Sequence, residues 1–90
     1  MTDTDRESDN RRVYWHSRRG MVELDVLLMP FALEVYPEMD DLERTEYKRF
    51  LASEDADLYA WLMGHADVDD DGFRPILHRI RDHARSKAPT

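Results

Sequence analysis

The stretch "MVELDVLLMPFALEVYP", residues 21–37, carries the apolar pattern that decides the fold class. Its large apolar side chains recur every three or four positions, at Met21, Leu24, Leu28, Phe31 and Val35. Because a helical turn takes about 3.6 residues, this spacing places them on one face of a helix. Pro30 lacks an amide hydrogen and predicts a kink or local break inside that helix, and Pro37 ends it.

Four more segments with helical spacing surround this one. The first is predicted over residues 10–18, the third from an acidic cap at Asp40 or Asp41, the fourth over residues 56–63 and the fifth over residues 72–86. Only three glycines occur, and long runs of β-branched residues are absent. The sequence therefore predicts an all-α protein, a compact five-helix bundle of a single domain.

The two ends of the chain differ from this helical middle. Residues 1–9 hold four acids and one arginine, which predicts a disordered acidic leader. Residues 10–86 are expected to form the helical domain, and residues 87–90 a flexible tail. A secretory signal needs a basic start and an apolar core, and neither is found, so a cytoplasmic location is expected.

Seven large apolar residues are expected to build the core, because a small domain without disulfides can spare few of them. They are Trp15, Leu24, Phe31, Phe50, Leu58, Trp61 and Leu62. Two alternatives stay open from the residues alone. The two tryptophans are also suited to a ligand platform, and the methionines together with Tyr14 to the lining of a flavin or peptide groove.

Composition excludes several classes of function. The net charge is -7, from 13 Lys and Arg against 20 Asp and Glu, so neither nucleic acid nor an anionic membrane surface is an expected partner. The chain has no cysteine, which excludes disulfides and thiolate metal sites. Its apolar runs are too short to span a bilayer, and no membrane insertion is expected.

The acidic segment "DVDDDG", residues 67–72, matches the first half of a calcium-binding loop. The second half does not match. Position twelve of the loop needs a bidentate glutamate and is His78, and position nine, which often binds calcium through a water molecule, is Pro75. The segment is better explained as a loop in which Asp71 caps the last helix. Zinc-ligand spacing, a Gly-rich phosphate loop and a nucleophile motif are also missing. The sequence therefore predicts no metal site, no stably bound cofactor and no enzymatic activity.

The charged segment "RRGMVE", residues 18–23, remains as a candidate site. It can be a plain connection, with Gly20 ending the first helix, the arginines facing its dipole and Glu23 in the first turn of the next helix. It can also be a recognition surface. Two guanidinium groups and a carboxylate on one tight turn can bind the acid and amide groups of a partner with fixed geometry. The residues alone leave both interpretations open.

This segment resembles the R-G-x-x-E signature of the SdhE-type succinate dehydrogenase assembly factors, also called flavinylation factors. The signature residues are Arg19, Gly20 and Glu23, and the similarity extends through the flanking residues 18–31. A second segment, "DADLYAWLMGH", is similar to the family's D-L-x-x-W-L pattern at Asp57, Leu58, Trp61 and Leu62. The resemblance covers about residues 10–85.

The resemblance implies a five-helix bundle that promotes covalent attachment of FAD to a histidine of the succinate dehydrogenase flavoprotein subunit, and often of fumarate reductase. Such a factor docks beside the FAD held by its partner, binds no FAD stably itself, and is expected to be a monomer in the bacterial cytoplasm. The implied partner-binding residues are Arg18, Arg19, Gly20, Glu23 and Asp25. Two alternative functions are a direct FAD carrier and an antitoxin-like regulatory protein.

Overall fold

The computed structural model describes residues 3–87. Within this range the chain forms five α-helices and two short 3-10 segments, which confirms the predicted all-α bundle. The helices are α1 (Asp3–His16), α2 (Val22–Glu34), α3 (Asp41–Leu51), α4 (Asp55–Leu62) and α5 (Arg74–Lys87), and the 3-10 segments are Tyr36–Glu38 and Asp71–Phe73. No helix among the described residues is long and apolar enough to cross a membrane.

Helix α2 lies at the centre of the bundle and contacts α1, α4 and α5. Its inward face presents Leu24, Leu28 and Phe31, all fully buried. The ring of Phe31 lies 5.3 Å from that of Tyr47 on α3. The helix continues through Pro30 without interruption, so of the predicted kink or local break, the break does not occur. Buried side chains on both sides of the proline hold the helix in place, and this packing offsets the one lost hydrogen bond.

The first helix begins earlier than the sequence indicates. Helix α1 starts at Asp3, so the prediction of a disordered leader is wrong for residues 3–9, whereas residues 1 and 2 lie outside the described range. Acids in the first turn suit the helix dipole. Asp9 is buried in the middle of α1 and accepts hydrogen bonds from Tyr36 and Arg44, which connect this helix to the rest of the bundle.

The other boundaries are close to those predicted. The acidic cap of α3 is a capping box: the Asp40 side chain accepts from the Glu43 amide at 2.8 Å, and the Glu43 side chain accepts from the Asp40 amide at 3.0 Å. Helix α5 includes Lys87, which the sequence assigned to a flexible tail, and residues 88–90 lie outside the described range.

Six of the seven expected core residues are buried, and Trp15 is not. The Trp15 side chain is 59% exposed, so its assignment to the core is wrong. Val13 is the buried apolar residue of α1, and the partly buried Tyr14 also packs against the core. Trp15 follows two residues later, about 200° further around the helix, and therefore faces away from the bundle.

Candidate functional site

The connection between α1 and α2, residues 17–21, is a tight turn with a fixed start. The buried Ser17 hydroxyl donates to the Val13 carbonyl at 2.8 Å and lies 2.8 Å from the Tyr47 hydroxyl on α3. Burial raises the pKa of Tyr47, so this phenol stays neutral and available for the hydrogen bond. The first residue of the turn is thereby fastened to the core.

Gly20 adopts the left-handed backbone conformation on which this turn depends. Its φ is +82°, in the left-handed region that glycine adopts without steric cost. A Cβ atom at this position would have no neighbour within 4 Å. The glycine is therefore required by the backbone conformation and not by a close contact within the chain, and the surface around it is open.

Arg19 is bound within the protein. Its Nε donates to Asp55 Oδ1 on α4 at 2.7 Å, and its terminal nitrogens donate to the carbonyls of His16 and Ser53 at 3.3 Å. Only 15% of its side chain is exposed. Arg19 therefore connects the turn to the junction of α3 and α4.

Asp25 completes the same arrangement from the other side of the turn. Its carboxylate, in the first turn of α2, accepts a hydrogen bond from the Arg19 amide at 2.7 Å. Asp25 is half-buried, and its hydrogen bond joins the residues on the two sides of Gly20. Arg19 and Asp25, two of the five residues expected to bind a partner, thus form their hydrogen bonds within this protein.

Arg18 and Glu23 are the exposed charges of the turn. Among residues 3–87 neither side chain has a hydrogen-bond or ion-pair partner, and the cap position of α2, Met21, makes no side-chain cap. Glu23 therefore does not satisfy its own helix terminus. The structure brings together a free cation, an open glycine and a free carboxylate on a rigid turn, here called the docking turn (Arg18, Gly20 and Glu23).

An apolar strip lies beside the docking turn. It runs along the outer face of α2 through Val22, Val26 and Leu33, all exposed. A shallow groove of about 360 Å³ follows it, lined by Tyr14, Asp25, Val26, Met29, Pro30, Leu33 and Glu34. Tyr14 and Met29 are among the residues for which the sequence left a groove lining open. The exposed strip itself was not predicted, although α2 is apolar around most of its circumference and only one face fits the core. Exposed apolar patches of this kind mark interaction sites.

In the acidic segment of residues 67–72, before α5, aspartates form ion pairs with arginines of the same chain. Asp67 accepts two hydrogen bonds from Arg74, at 2.8 and 2.9 Å, and Asp70 pairs with Arg49. The Arg74 guanidinium holds the pKa of Asp67 below its usual value. Within the described part of the chain no group of three or more acids or histidines is arranged to hold a metal ion.

Comparison with known proteins agrees with the resemblance found in the sequence. Residues 11–84 match the family described as Sdh5, flavinator of succinate dehydrogenase. A protein of Pseudomonas savastanoi pv. phaseolicola named FAD assembly factor SdhE is 47% identical over 76 residues, which cover 84% of this chain and 90% of the relative. The protein of the same name from Vibrio cholerae is 40% identical over 76 residues, covering 84% of this chain and 88% of that one.

A solved structure shares the fold. The solution structure of a UPF0350 protein superposes with a TM-score of 0.69 at 34% identity, covering 97% of this chain and 89% of that chain. The chain belongs to the Sdh5 family of succinate dehydrogenase flavinators.

Proposed function

We propose that this protein is an FAD assembly factor that binds the flavoprotein subunit of succinate dehydrogenase and promotes covalent attachment of FAD to it. The observation that carries the proposal is the docking turn, in which Arg18 and Glu23 are exposed and unpaired within residues 3–87 on a turn fastened at both ends. Membership in the flavinator family supports this role.

The five expected site residues divide into two groups. Arg18, Gly20 and Glu23 contact the flavoprotein, the two charges by charge-assisted hydrogen bonds and the glycine by close backbone approach. Arg19 and Asp25 are positioning residues, because their polar groups already bond to Asp55 and to the turn itself. This division differs from the expectation that Arg19 binds the partner directly.

The proposed action is conformational and not catalytic. The docking turn offers a charged surface on a rigid support and no activated nucleophile. Attachment of FAD to a histidine is then the chemistry of the flavoprotein, which holds the FAD. Binding of the factor shifts the flavoprotein towards the conformation that reacts, which requires tighter binding to that conformation than to others. Fumarate reductase is a second proposed client, and the factor acts as a cytoplasmic monomer.

A direct FAD carrier is the principal alternative. The sequence has no Gly-rich phosphate-binding turn, which argues against it. Equilibrium dialysis of the isolated protein with FAD separates the two functions. An assembly factor that acts on its partner should show no binding in the micromolar range, and micromolar binding would favour the carrier.

Co-purification tests the proposed partner. Tagged wild-type protein should capture the succinate dehydrogenase flavoprotein subunit from host cells. Glu23→Ala should lose the capture, because the turn then lacks its free carboxylate, whereas Glu38→Ala removes an equally exposed acid from the 3-10 segment and should retain it. Capture by Glu23→Ala at the wild-type level would contradict the proposal. Capture of a membrane toxin in place of the flavoprotein would favour the antitoxin-like alternative.

A further inference from the structure

Three arginines differ from every other lysine and arginine in the chain. Arg11, Arg12 and Arg18 are exposed, and within residues 3–87 their guanidinium groups have no carboxylate or carbonyl partner. The remaining members of the 13 cations all donate to an acid or a main-chain carbonyl. The three arginines without a partner among residues 3–87 therefore lie within eight positions of one another in the sequence.

Two of these arginines share a helix face with the exposed tryptophan. Arg11, Arg12 and Trp15 fall within an arc of about 100° on α1, on the side away from buried Val13. We call these three residues the α1 outer face. The Trp15 ring is supported edge-on by Tyr14, with ring centroids 5.5 Å apart. Helix α1 ends at His16, so this face leads directly to Arg18 and the docking turn.

The composition of the α1 outer face is that of a protein interface. Tryptophan and arginine are the residue types most enriched where binding energy concentrates. A 59% exposed tryptophan gives nothing to the core, and its apolar area becomes useful only when a partner covers it. Unpaired guanidinium groups attract carboxylates and bind them with two parallel hydrogen bonds. The net charge of -7 opposes approach to nucleic acid or anionic membranes.

We propose that the α1 outer face binds an acidic segment of the flavoprotein subunit, as a second contact beside the docking turn. Arg11 and Arg12 pair with carboxylates of that segment, and Trp15 packs on the apolar parts of the same segment. The inference rests on the proposed function. It adds to that function a surface that sets the rate and salt dependence of association, because charges at such a surface steer encounter.

The test measures binding of the purified succinate dehydrogenase flavoprotein subunit from the host, by biolayer interferometry at several NaCl concentrations. Arg11→Glu with Arg12→Glu should weaken binding about tenfold or more at low salt and flatten the salt dependence. Arg85→Glu with Lys87→Glu changes the net charge equally at the end of α5 and should bind like wild type. Trp15→Ala should weaken binding about tenfold at all salt concentrations.

Different results would contradict the role of the α1 outer face and the proposed function. Wild-type affinity and salt dependence in the Arg11→Glu, Arg12→Glu variant would overturn the α1 outer face, while loss of binding by Glu23→Ala in the same assay would keep the docking turn. Absence of binding by the wild-type protein would instead overturn the proposed function. Binding of the wild-type protein, but not the double variant, to vesicles containing phosphatidylglycerol, with flavoprotein binding unchanged, would assign the face to a membrane and overturn the inference.

Discussion

The main-chain amide of Arg19 donates a 2.7 Å hydrogen bond to the carboxylate of Asp25 and so closes the turn around Gly20. The guanidinium of the same arginine bonds to Asp55 on α4 at 2.7 Å. One residue thus fixes both the shape of the turn and its place on the bundle. The charges that remain for a partner, Arg18 and Glu23, are held on a prepared support, which lowers the ordering cost of binding.

The closure of the turn depends on an acceptor at position 25. Asp25→Ala leaves the Arg19 amide without its acceptor and should lower the free energy of unfolding by about 1–2 kcal/mol. Asp25→Asn keeps a side-chain oxygen and should recover most of this loss. Urea unfolding measures both variants, with Asp69→Ala, an exposed loop acid, as the control. Equal stability of Asp25→Ala and Asp69→Ala would show that the hydrogen bond does not hold the turn.

The contact between Arg19 and Asp55 is testable by a double-mutant cycle. The Arg19 side chain is 15% exposed and that of Asp55 is 38% exposed, so water screens part of their attraction. Combining Arg19→Ala with Asp55→Ala should give a coupling energy of about 1 kcal/mol in urea unfolding. Additive effects would mean that Arg19 is not anchored on α4 and is free to contact the partner directly.

The buried Asp9 makes stability depend on pH. Burial raises the pKa of Asp9, but hydrogen bonds from Lys48, Tyr36 and Arg44 outweigh this effect and hold the pKa below its usual value. Because the folded-state pKa is lowered, the ionised carboxylate contributes stability above the unfolded-state pKa, and this contribution is lost as pH falls through the folded-state pKa.

Asp9→Asn should therefore cost about 3–5 kcal/mol at pH 7, since it leaves buried Arg44 without its anion. The difference from wild type should shrink as pH falls below about 4. Chemical unfolding between pH 7 and pH 3 gives the profile, and Asp57→Asn on the exposed side of α4 serves as control. A difference that does not change with pH would contradict an ionised Asp9.

The two tryptophans should respond oppositely to truncation. Trp61 is 4% exposed and its ring lies 5.9 Å from that of Phe50, so Trp61→Ala should cost about 3–5 kcal/mol of stability. Trp15→Ala removes an exposed ring and should change stability by less than about 1 kcal/mol. Thermal unfolding followed by circular dichroism compares them. A large loss of stability in Trp15→Ala would show that the Trp15 side chain packs in the core.

Local patterns predicted most of the fold. The period of three to four residues located the inward face of α2, and the acids at positions 40 and 41 predicted an acidic cap for α3, which the structure places at Asp40. Gly20 was predicted to end the first helix, but α1 ends at His16 and Gly20 lies four residues further along, in the connection to α2. Only its left-handed conformation, with φ of +82°, agrees with the prediction. These features depend on residues within one turn of each other, so spacing alone carries the information.

The features that were missed depend on distant residues. Helix α1 is connected through Asp9 to Arg44, 35 positions away, and Arg19 is bound to Asp55, 36 positions away. Hydrophobicity placed Trp15 in the core, but the position of Val13 on the same helix decides which side faces inward. The sequence could therefore indicate the charged turn, while only the packed structure separates its positioning residues from its exposed ones.

The covalent flavin content of the succinate dehydrogenase flavoprotein subunit tests the central claim most directly. It is measured by in-gel flavin fluorescence in cells that lack the wild-type gene and carry either wild-type protein, Glu23→Ala or Glu38→Ala. Wild type and Glu38→Ala should support flavin attachment, and Glu23→Ala should lose nearly all of it while keeping a wild-type helical spectrum. Full flavin attachment with Glu23→Ala would contradict the claim that the docking turn acts on the flavoprotein.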